Sequence, residues 1–328
     1  MFAIVPADSG QLQWSEVADV SAGPGEVLIK VSAAGVNRAD LLQAAGLYPP
    51  PPGASEIIGL EVSGTVAALG DGVSKWVVGQ QVCALLAGGG YAQYVAVPSG
   101  QVMPVPTGVA LEDASGLPEV ACTVWSNLVM TAGLQAGQWL LIHGGASGIG
   151  THAIQVAREL GARVAVTAGS VTKLRVCEEL GADALICYRD DDFVQRMKEV
   201  TGGAGADVIF DIMGASYLDR NLAALAPDGR LVIIGMQGGV KGELNIGTLI
   251  GKRLSVIGTA LRGRPVDGVH GKVRIVDAVV DAVWPMVEGG SVHPVIGARF
   301  PIQSAGEAHR ALESGSVVGK VILTVPAR

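Results

Sequence analysis

Two rhythms of hydrophobic and polar positions divide the chain. Up to about residue 120 the apolar runs are short and closely spaced. Residues 26–31 end on strict alternation, and residues 64–70 are an apolar run with glycine at either end. Residues 80–86 and 91–97 follow, separated by Gly88, Gly89 and Gly90. Short runs punctuated by Gly and Pro predict the strands of an all-β, barrel-like unit. The four prolines at 49–52 form a rigid loop that fits neither a helix nor a central strand.

From about residue 120 strand-like and helix-like patterns alternate. Strands are predicted over residues 139–143, 163–167, 184–188, 207–212, 230–235 and 255–260. A helix over 150–160 places Ile149, Ala153, Ala157 and Leu160 on one face. Six strands joined by crossover helices predict an α/β fold with a doubly wound parallel sheet. After about residue 261, a helix over 273–288 and a strand over 321–325 return to shorter elements.

Composition narrows the class. A chain of 328 residues exceeds the roughly 250–300 over which one core usually grows, so two domains are expected. Charged residues make up 16% and hydrophobic residues 49%, which excludes a disordered chain. The 47 glycines are about twice the usual share but follow no triplet period, which excludes collagen. A net charge of −7 argues against nucleic acid or an anionic membrane as partner.

Residues 120–157 hold no Asp, Glu, Lys or Arg, but Asn127, His143, His152, several Gln and repeated Gly interrupt them. A buried helix, strand and helix explain this stretch better than a membrane span. The first ten residues show no basic run and no long apolar stretch, so a cytoplasmic protein without a secretory leader is expected. Cys83, Cys122, Cys177 and Cys187 form no C-x-x-C pair and read as reduced core thiols. All five His lie after residue 140, so no clustered zinc site can be built before it, and no metal is expected.

The strand over 139–143 runs into Gly144-Gly-Ala-Ser147-Gly148-Ile149-Gly150, after which a helix begins. Glycines here permit a tight turn and let a pyrophosphate reach N–H groups at the helix start. An ordinary strand–helix turn would look similar, but the strand before and helix after it predict dinucleotide binding. An NAD enzyme usually ends the next strand in Asp or Glu. Here it ends Thr167-Ala-Gly-Ser170, followed by Lys173, with no acid until Glu178. A hydroxyl and an ammonium attract a 2′-phosphate, so NADPH (NADP+) is the expected cofactor, although Lys173 also fits a plain solvated helix charge.

The glycine turn alone also fits short-chain dehydrogenases. Those need a Tyr-x-x-x-Lys pair, and none of the five Tyr has Lys four positions on. Essentially the whole chain instead resembles the medium-chain dehydrogenase/reductase superfamily, and within it the zinc-free quinone oxidoreductases. The segments that carry the resemblance include Asn37-Arg-Ala-Asp40, Gly46-Leu-Tyr48-Pro49, Pro51-Pro-Gly53, Gly59-Leu-Glu61 and Gly88-Gly-Gly-Tyr91. Leu117-Pro-Glu119, Thr167-Ala-Gly-Ser170 and Gly319-Lys320-Val321 belong to the same set. Ser147 and the segments at 37–40, 50–53 and 167–170 look most like the tumour-suppressor-inducible quinone oxidoreductase branch.

The resemblance implies a GroES-like catalytic domain over 1–120, a Rossmann NADP-binding domain over 121–261 and a return to the first over 262–328. It implies a zinc-independent NADPH:quinone oxidoreductase with a pocket at the domain interface. Zinc-dependent relatives carry Cys at the place of Asn37 and Gly-His-Glu at the place of residues 59–61, so metal-free chemistry is expected. Asn37 and Tyr48 would stand beside nicotinamide and substrate, Asn37 donating a hydrogen bond to a quinone oxygen and Tyr48 stacking or giving a proton. A turn-forming Asn and a packing Tyr are the plainer alternatives.

On the cofactor, the resemblance assigns Thr123 to the nicotinamide end and Ser147, Gly148, Ile149 and Gly150 to the pyrophosphate. Ser170, Lys173 and Tyr188 would flank the 2′-phosphate, Gly235 and Met236 would line the cleft, and Val317 would close on the cofactor. Tyr188 equally suits a strand-end core position. An NADPH-dependent enoyl-thioester or enone reductase, with Tyr48 as proton donor, is the second enzymatic reading. A non-enzymatic lens-type or RNA-binding role, known among relatives, is the third. A homodimer through the edge strand near 255–260 is expected, because apolar edges tend to be paired.

Overall fold

The computed structural model describes residues 1–6 and 11–326. The chain divides into two compact units, one built from Met1–Cys122 and Leu261–Arg328, the other from Thr123–Ala260.

The first unit opens with β1 (Phe2–Pro6) and β2 (Leu12–Glu16), an antiparallel pair. Then come β3 (Glu26–Val36), helix α1 (Arg38–Ala44), β4 (Glu61–Leu69), β5 (Gln81–Leu85), β6 (Tyr94–Pro98) and β7 (Val102–Pro104). Helix α2 (Pro118–Val124) leads out of this part, with proline at its first position, where no N–H is needed.

The second unit alternates strand and helix. Its strands are β8 (Trp139–His143), β9 (Arg163–Ala168), β10 (Ala184–Cys187), β11 (Ala206–Asp211), β12 (Leu225–Ile233) and β13 (Ser255–Gly258). Between them lie α3 (Gly148–Glu159), α4 (Val171–Glu179), α5 (Phe193–Val200), α6 (Leu218–Ala224) and α7 (Ile246–Lys252). The sheet order is β10-β9-β8-β11-β12-β13 with every pair parallel, a doubly wound arrangement that reverses between β8 and β11. Polar side chains start the helices. Ser147, Ser170, Asp192 and Asn245 each accept a backbone N–H from the first turn of α3, α4, α5 and α7.

The chain then returns to the first unit with α8 (Lys272–Glu288), β14 (Ile296–Pro301), α9 (Ala305–Glu313) and β15 (Lys320–Thr324). β3 organises the large sheet. One edge pairs along β4, while the other pairs β6 with its first half and β15 with its last four residues. Each unit has its own apolar core. One gathers around Ile29, Val62, Val82, Tyr91 and Leu323, the other around Leu141, Ile186, Phe193, Ile209 and Leu231.

Several boundaries differ from the sequence expectation. The strand expected at 91–97 begins only at Tyr94, because Tyr91 turns its N–H to the Ile58 carbonyl. The strand expected at 184–188 ends at Cys187, whose N–H donates to the Asp191 carboxylate. β13 stops at Gly258, two residues early. Helix α1 and strands β1, β2 and β14 were not expected, and among the described residues no helix is long and apolar enough to cross a membrane.

Candidate active site

The first unit concentrates its buried charge around the end of β3. Asn37 follows that strand and starts α1; its backbone N–H donates to Asp40 Oδ2 at 2.7 Å. Its carboxamide Nδ2 donates to Glu61 Oε1 at 2.9 Å, and its Oδ1 accepts from Lys320 Nζ at 2.7 Å. Lys320 also donates to Glu61 Oε1 at 2.5 Å and to the Val36 carbonyl at 3.2 Å. Glu61 completes its set by accepting the Glu119 N–H at 2.9 Å on Oε2. Lys320 is only 4% exposed and Glu61 fully buried, so this is an ion pair withdrawn from water with every lysine proton placed.

Two more carboxyl groups border the pair. Asp40 is fully buried, accepts from the Tyr91 hydroxyl at 3.1 Å, and has no partner for Oδ1. Burial pushes its pKa up to about 7, against the pull of the Asn37 N–H and of Lys320. Glu119 is pushed up to about 8, first by burial and then by the neighbouring Glu61 charge. The Tyr91 hydroxyl also sits 3.2 Å from His309 Nε2, and burial holds that imidazole down to about 4.

Tyr48 is half-buried next to the proline loop. Arg262 lies with its guanidinium 5.2 Å from the ring centre and donates to the carbonyls of Tyr48 (3.3 Å) and Ala87 (2.8 Å) and to Gln43 Oε1 (2.7 Å). Burial raises the Tyr48 phenol while the Arg262 charge lowers it, and burial wins. The phenol therefore keeps its proton at neutral pH. Val317, further along the same unit, packs against Gly297 and the apolar core.

In the second unit the glycine turn is held tightly by its own hydrogen bonds. Ser147 Oγ donates to the Gly144 carbonyl at 2.7 Å and accepts the Gly150 N–H at 3.0 Å, so the hydroxyl closes the turn from inside. Gly148, Ile149 and Gly150 form the first turn of α3, whose leading N–H groups have no helical acceptor. A side chain at Gly150 would run into the Gly144 and Gly145 carbonyls, so only glycine permits this closeness. Beneath the turn, Thr167 Oγ1 accepts the Gly144 N–H at 3.3 Å and lies 3.2 Å from His143 Nδ1. His143 Nε2 lies 2.8 Å from Asn221 Oδ1, and burial holds the ring down to about 4, so this histidine braces the turn as a neutral group.

At the end of β9, Ser170 caps α4 by accepting the Lys173 N–H at 3.4 Å, which brings Ser170 and Lys173 into one helix start. The Tyr188 ring lies over Gly169, where an added Cβ would sit 2.5 Å from its hydroxyl. Tyr188 is 47% exposed, a surface position and not the core position that a strand-end tyrosine also suggests. Ser170, Lys173 and Tyr188 thus stand together at one corner. Gly235 and Met236 follow β12, with Met236 exposed and Gly235 close to the Ile212 carbonyl. Thr123 is buried near the end of α2, where its carbonyl accepts from Asn127 Nδ2 at 2.8 Å.

Sequence reasoning placed Asn37 and Tyr48 but passed over the residues that hold them. Glu61 and Lys320 appeared only as parts of motifs. Their signal was present, a charge inside an apolar strand (Val62 after Glu61, Val321 to Leu323 after Lys320). Arg262, nearly fully buried, gave no comparable signal.

Comparison with known proteins agrees with this geometry. Residues 23–107 match the family of the alcohol dehydrogenase GroES-like domain, and residues 148–270 match a family described as zinc-binding dehydrogenase. The chain is 31% identical over 319 residues to a 2-haloacrylate reductase of a Burkholderia species, covering 94% of both chains. It is 29% identical to the quinone oxidoreductase of Rattus norvegicus, covering 91% of this chain and 88% of that one. Among solved structures, the Escherichia coli quinone oxidoreductase complexed with NADPH superposes with a TM-score of 0.87 at 27% identity, covering 98% of each chain.

The residues present do not fit the zinc that one of those family descriptions names. Among the described residues no three His, Cys, Asp or Glu side chains gather into a possible metal site. The thiols of Cys83 and Cys122 are both pushed up by burial, and Glu61 is already neutralised by Lys320. A nicotinamide dinucleotide does fit, because the tight glycine turn ends at a helix start whose leading N–H groups at Gly148 and Ile149 have no helical acceptor.

Proposed function

This chain belongs to the quinone oxidoreductase branch of the medium-chain dehydrogenase/reductase superfamily, and from that premise we propose that it is a zinc-independent NADPH:quinone oxidoreductase. NADPH, when bound, supplies the hydride. The N–H groups of Gly148 and Ile149 hold the pyrophosphate at the start of α3, with Ser147 fixing the turn through the Gly150 N–H. Ser170, Lys173 and Tyr188 take the 2′-phosphate, and Thr123, Gly235 and Met236 flank the nicotinamide end. The contact of Val317 with the cofactor stays an expectation of the resemblance.

The observation that carries the reading is the corner after β9. Ser170, the backbone of Lys173 and the half-exposed Tyr188 ring meet there, and the sequence offers no acid from Thr167 to Arg175 to hold ribose hydroxyls. The NADPH complex of the E. coli relative supports the same choice.

At the substrate, hydride addition to a quinone leaves negative charge on an oxygen. Asn37 keeps one carboxamide N–H beyond the one given to Glu61, and that N–H stabilises the charge. The Tyr48 phenol, still protonated at neutral pH, then supplies the proton that completes the hydroquinone. A quinone is already a strong electrophile, so this chemistry needs no metal to polarise it.

The same groups serve a conjugated carbonyl, with hydride adding at the β-carbon and Tyr48 protonating the α-carbon. The likeness to a 2-haloacrylate reductase favours keeping this second reading. Steady-state NADPH oxidation with a small quinone and with an enoyl-CoA separates the two. We expect the quinone to turn over faster; far faster turnover of the enoyl-CoA replaces the first reading by the second.

A further inference from the structure

The carboxamide of Asn37 has one orientation open to it. Lys320 Nζ can only donate, so the amide end 2.7 Å away must be Oδ1. The Glu61 carboxylate can only accept, so the end 2.9 Å from it must be Nδ2. An exposed asparagine turns its amide at little cost and offers either end. Here a buried ion pair of 2.5 Å touches both ends at once and forbids the turn. The oxygen is committed to the ammonium, and one N–H is left to offer. We propose that Lys320 is the positioning residue that makes Asn37 a fixed hydrogen-bond donor, and so selects substrates whose oxygen gains negative charge, quinones and conjugated carbonyls.

The proposal rests on the reading of Asn37 as the group that meets the substrate oxygen, and adds what sets its polarity. The hydrogen bonds of the buried pair are fully assigned. All three Nζ protons of Lys320 are used on Glu61, Asn37 and the Val36 carbonyl, and the remaining Glu61 oxygen holds the start of α2 through the Glu119 N–H. A donor locked before the substrate arrives does not reorganise as charge develops, which is where such donors gain their effect.

Lys320→Met alone strands a buried carboxylate and puts folding at risk. The informative variant is Lys320→Met/Glu61→Gln, which removes both charges and leaves neutral groups that accept either amide orientation. We expect its melting temperature to recover towards wild type relative to Lys320→Met. KM for NADPH should stay within about twofold, while kcat with a small quinone falls about 10- to 100-fold. NMR of the Asn37 side-chain amide should show two distinct, protected protons in the wild type and a reorienting pair in the double variant. An amide that stays pinned in the double variant, or a kcat within about twofold of wild type, overturns the proposal. If wild type oxidises NADPH with neither quinone nor enone, the functional reading fails, and the amide signal still decides the role of Lys320.

Discussion

At the scale of single residues, the chain separates charges that recognise from charges that are stored. Lys173 stands in the first turn of α4, where its backbone N–H donates to Ser170, and the proposed 2′-phosphate contact falls on its side chain. Lys173→Ala should raise KM for NADPH about tenfold or more, the effect of one charge-assisted hydrogen bond, and change that for NADH by less than about twofold. Equal effects on the two cofactors in steady-state kinetics contradict the assignment.

Asp40 is a stored charge. Its pKa is pushed up from 3.8 to about 7, chiefly by burial, so the folded chain binds a proton that the unfolded chain has released by pH 5. Stability from this group is therefore present at low pH and lost as pH rises through about 7. The loss between pH 5 and pH 8 is on the order of 2 kcal/mol. Asp40→Asn does not titrate, so its stability relative to wild type should grow over that range in denaturant titrations. A difference independent of pH would show that Asp40 stays ionised.

At the scale of elements, what was legible depended on how much a segment's neighbours decide. The parallel strands could be read to within a residue or two at most ends, because strands such as β8 are buried on both faces and appear as unbroken apolar runs. The glycine turn was legible because its backbone admits no other residue. Helix α1 was missed because seven residues are too few to show a period, and Asp40, which looks like a surface charge, is buried against the Tyr91 hydroxyl. β14 alternates half-buried and exposed positions and contains Arg299 and Pro301, so it looked like loop. Asn37 and Tyr48 entered as candidates through resemblance, whereas Glu61 meets Lys320 across 259 positions of chain, a pairing no local pattern reveals.

The edge of the second sheet gives a prediction at this scale. Among the described residues β13 pairs with β12 alone, and its middle residues Val256 and Ile257 are half-buried. An apolar edge of this kind tends to find a partner strand, so we expect a homodimer in sedimentation at micromolar concentration. Ile257→Lys should shift the wild type towards monomer without changing its far-UV spectrum. A wild type that sediments as monomer removes the edge from consideration.

At the scale of the whole molecule, one unit is continuous in sequence and the other is assembled from two stretches. The second unit contains its whole sheet and its own apolar core between Thr123 and Ala260. A fragment of those residues should fold alone, giving a cooperative thermal transition by circular dichroism and quenching NADPH fluorescence. A fragment without a transition would show that the core is not self-sufficient.

The first unit has the opposite character, and the pairing of β15 with β3 gives it a history. A ribosome delivers Glu61 and Asn37 early but Lys320 only after the second unit has emerged. At ordinary elongation speeds that interval is roughly 13 to 50 seconds. During it the nascent chain carries a carboxylate destined for burial without its cation, so β4 has reason to stay wet and unsealed. The ion pair beside Asn37 therefore forms only after the 259 positions that separate Lys320 from Glu61 have all been made.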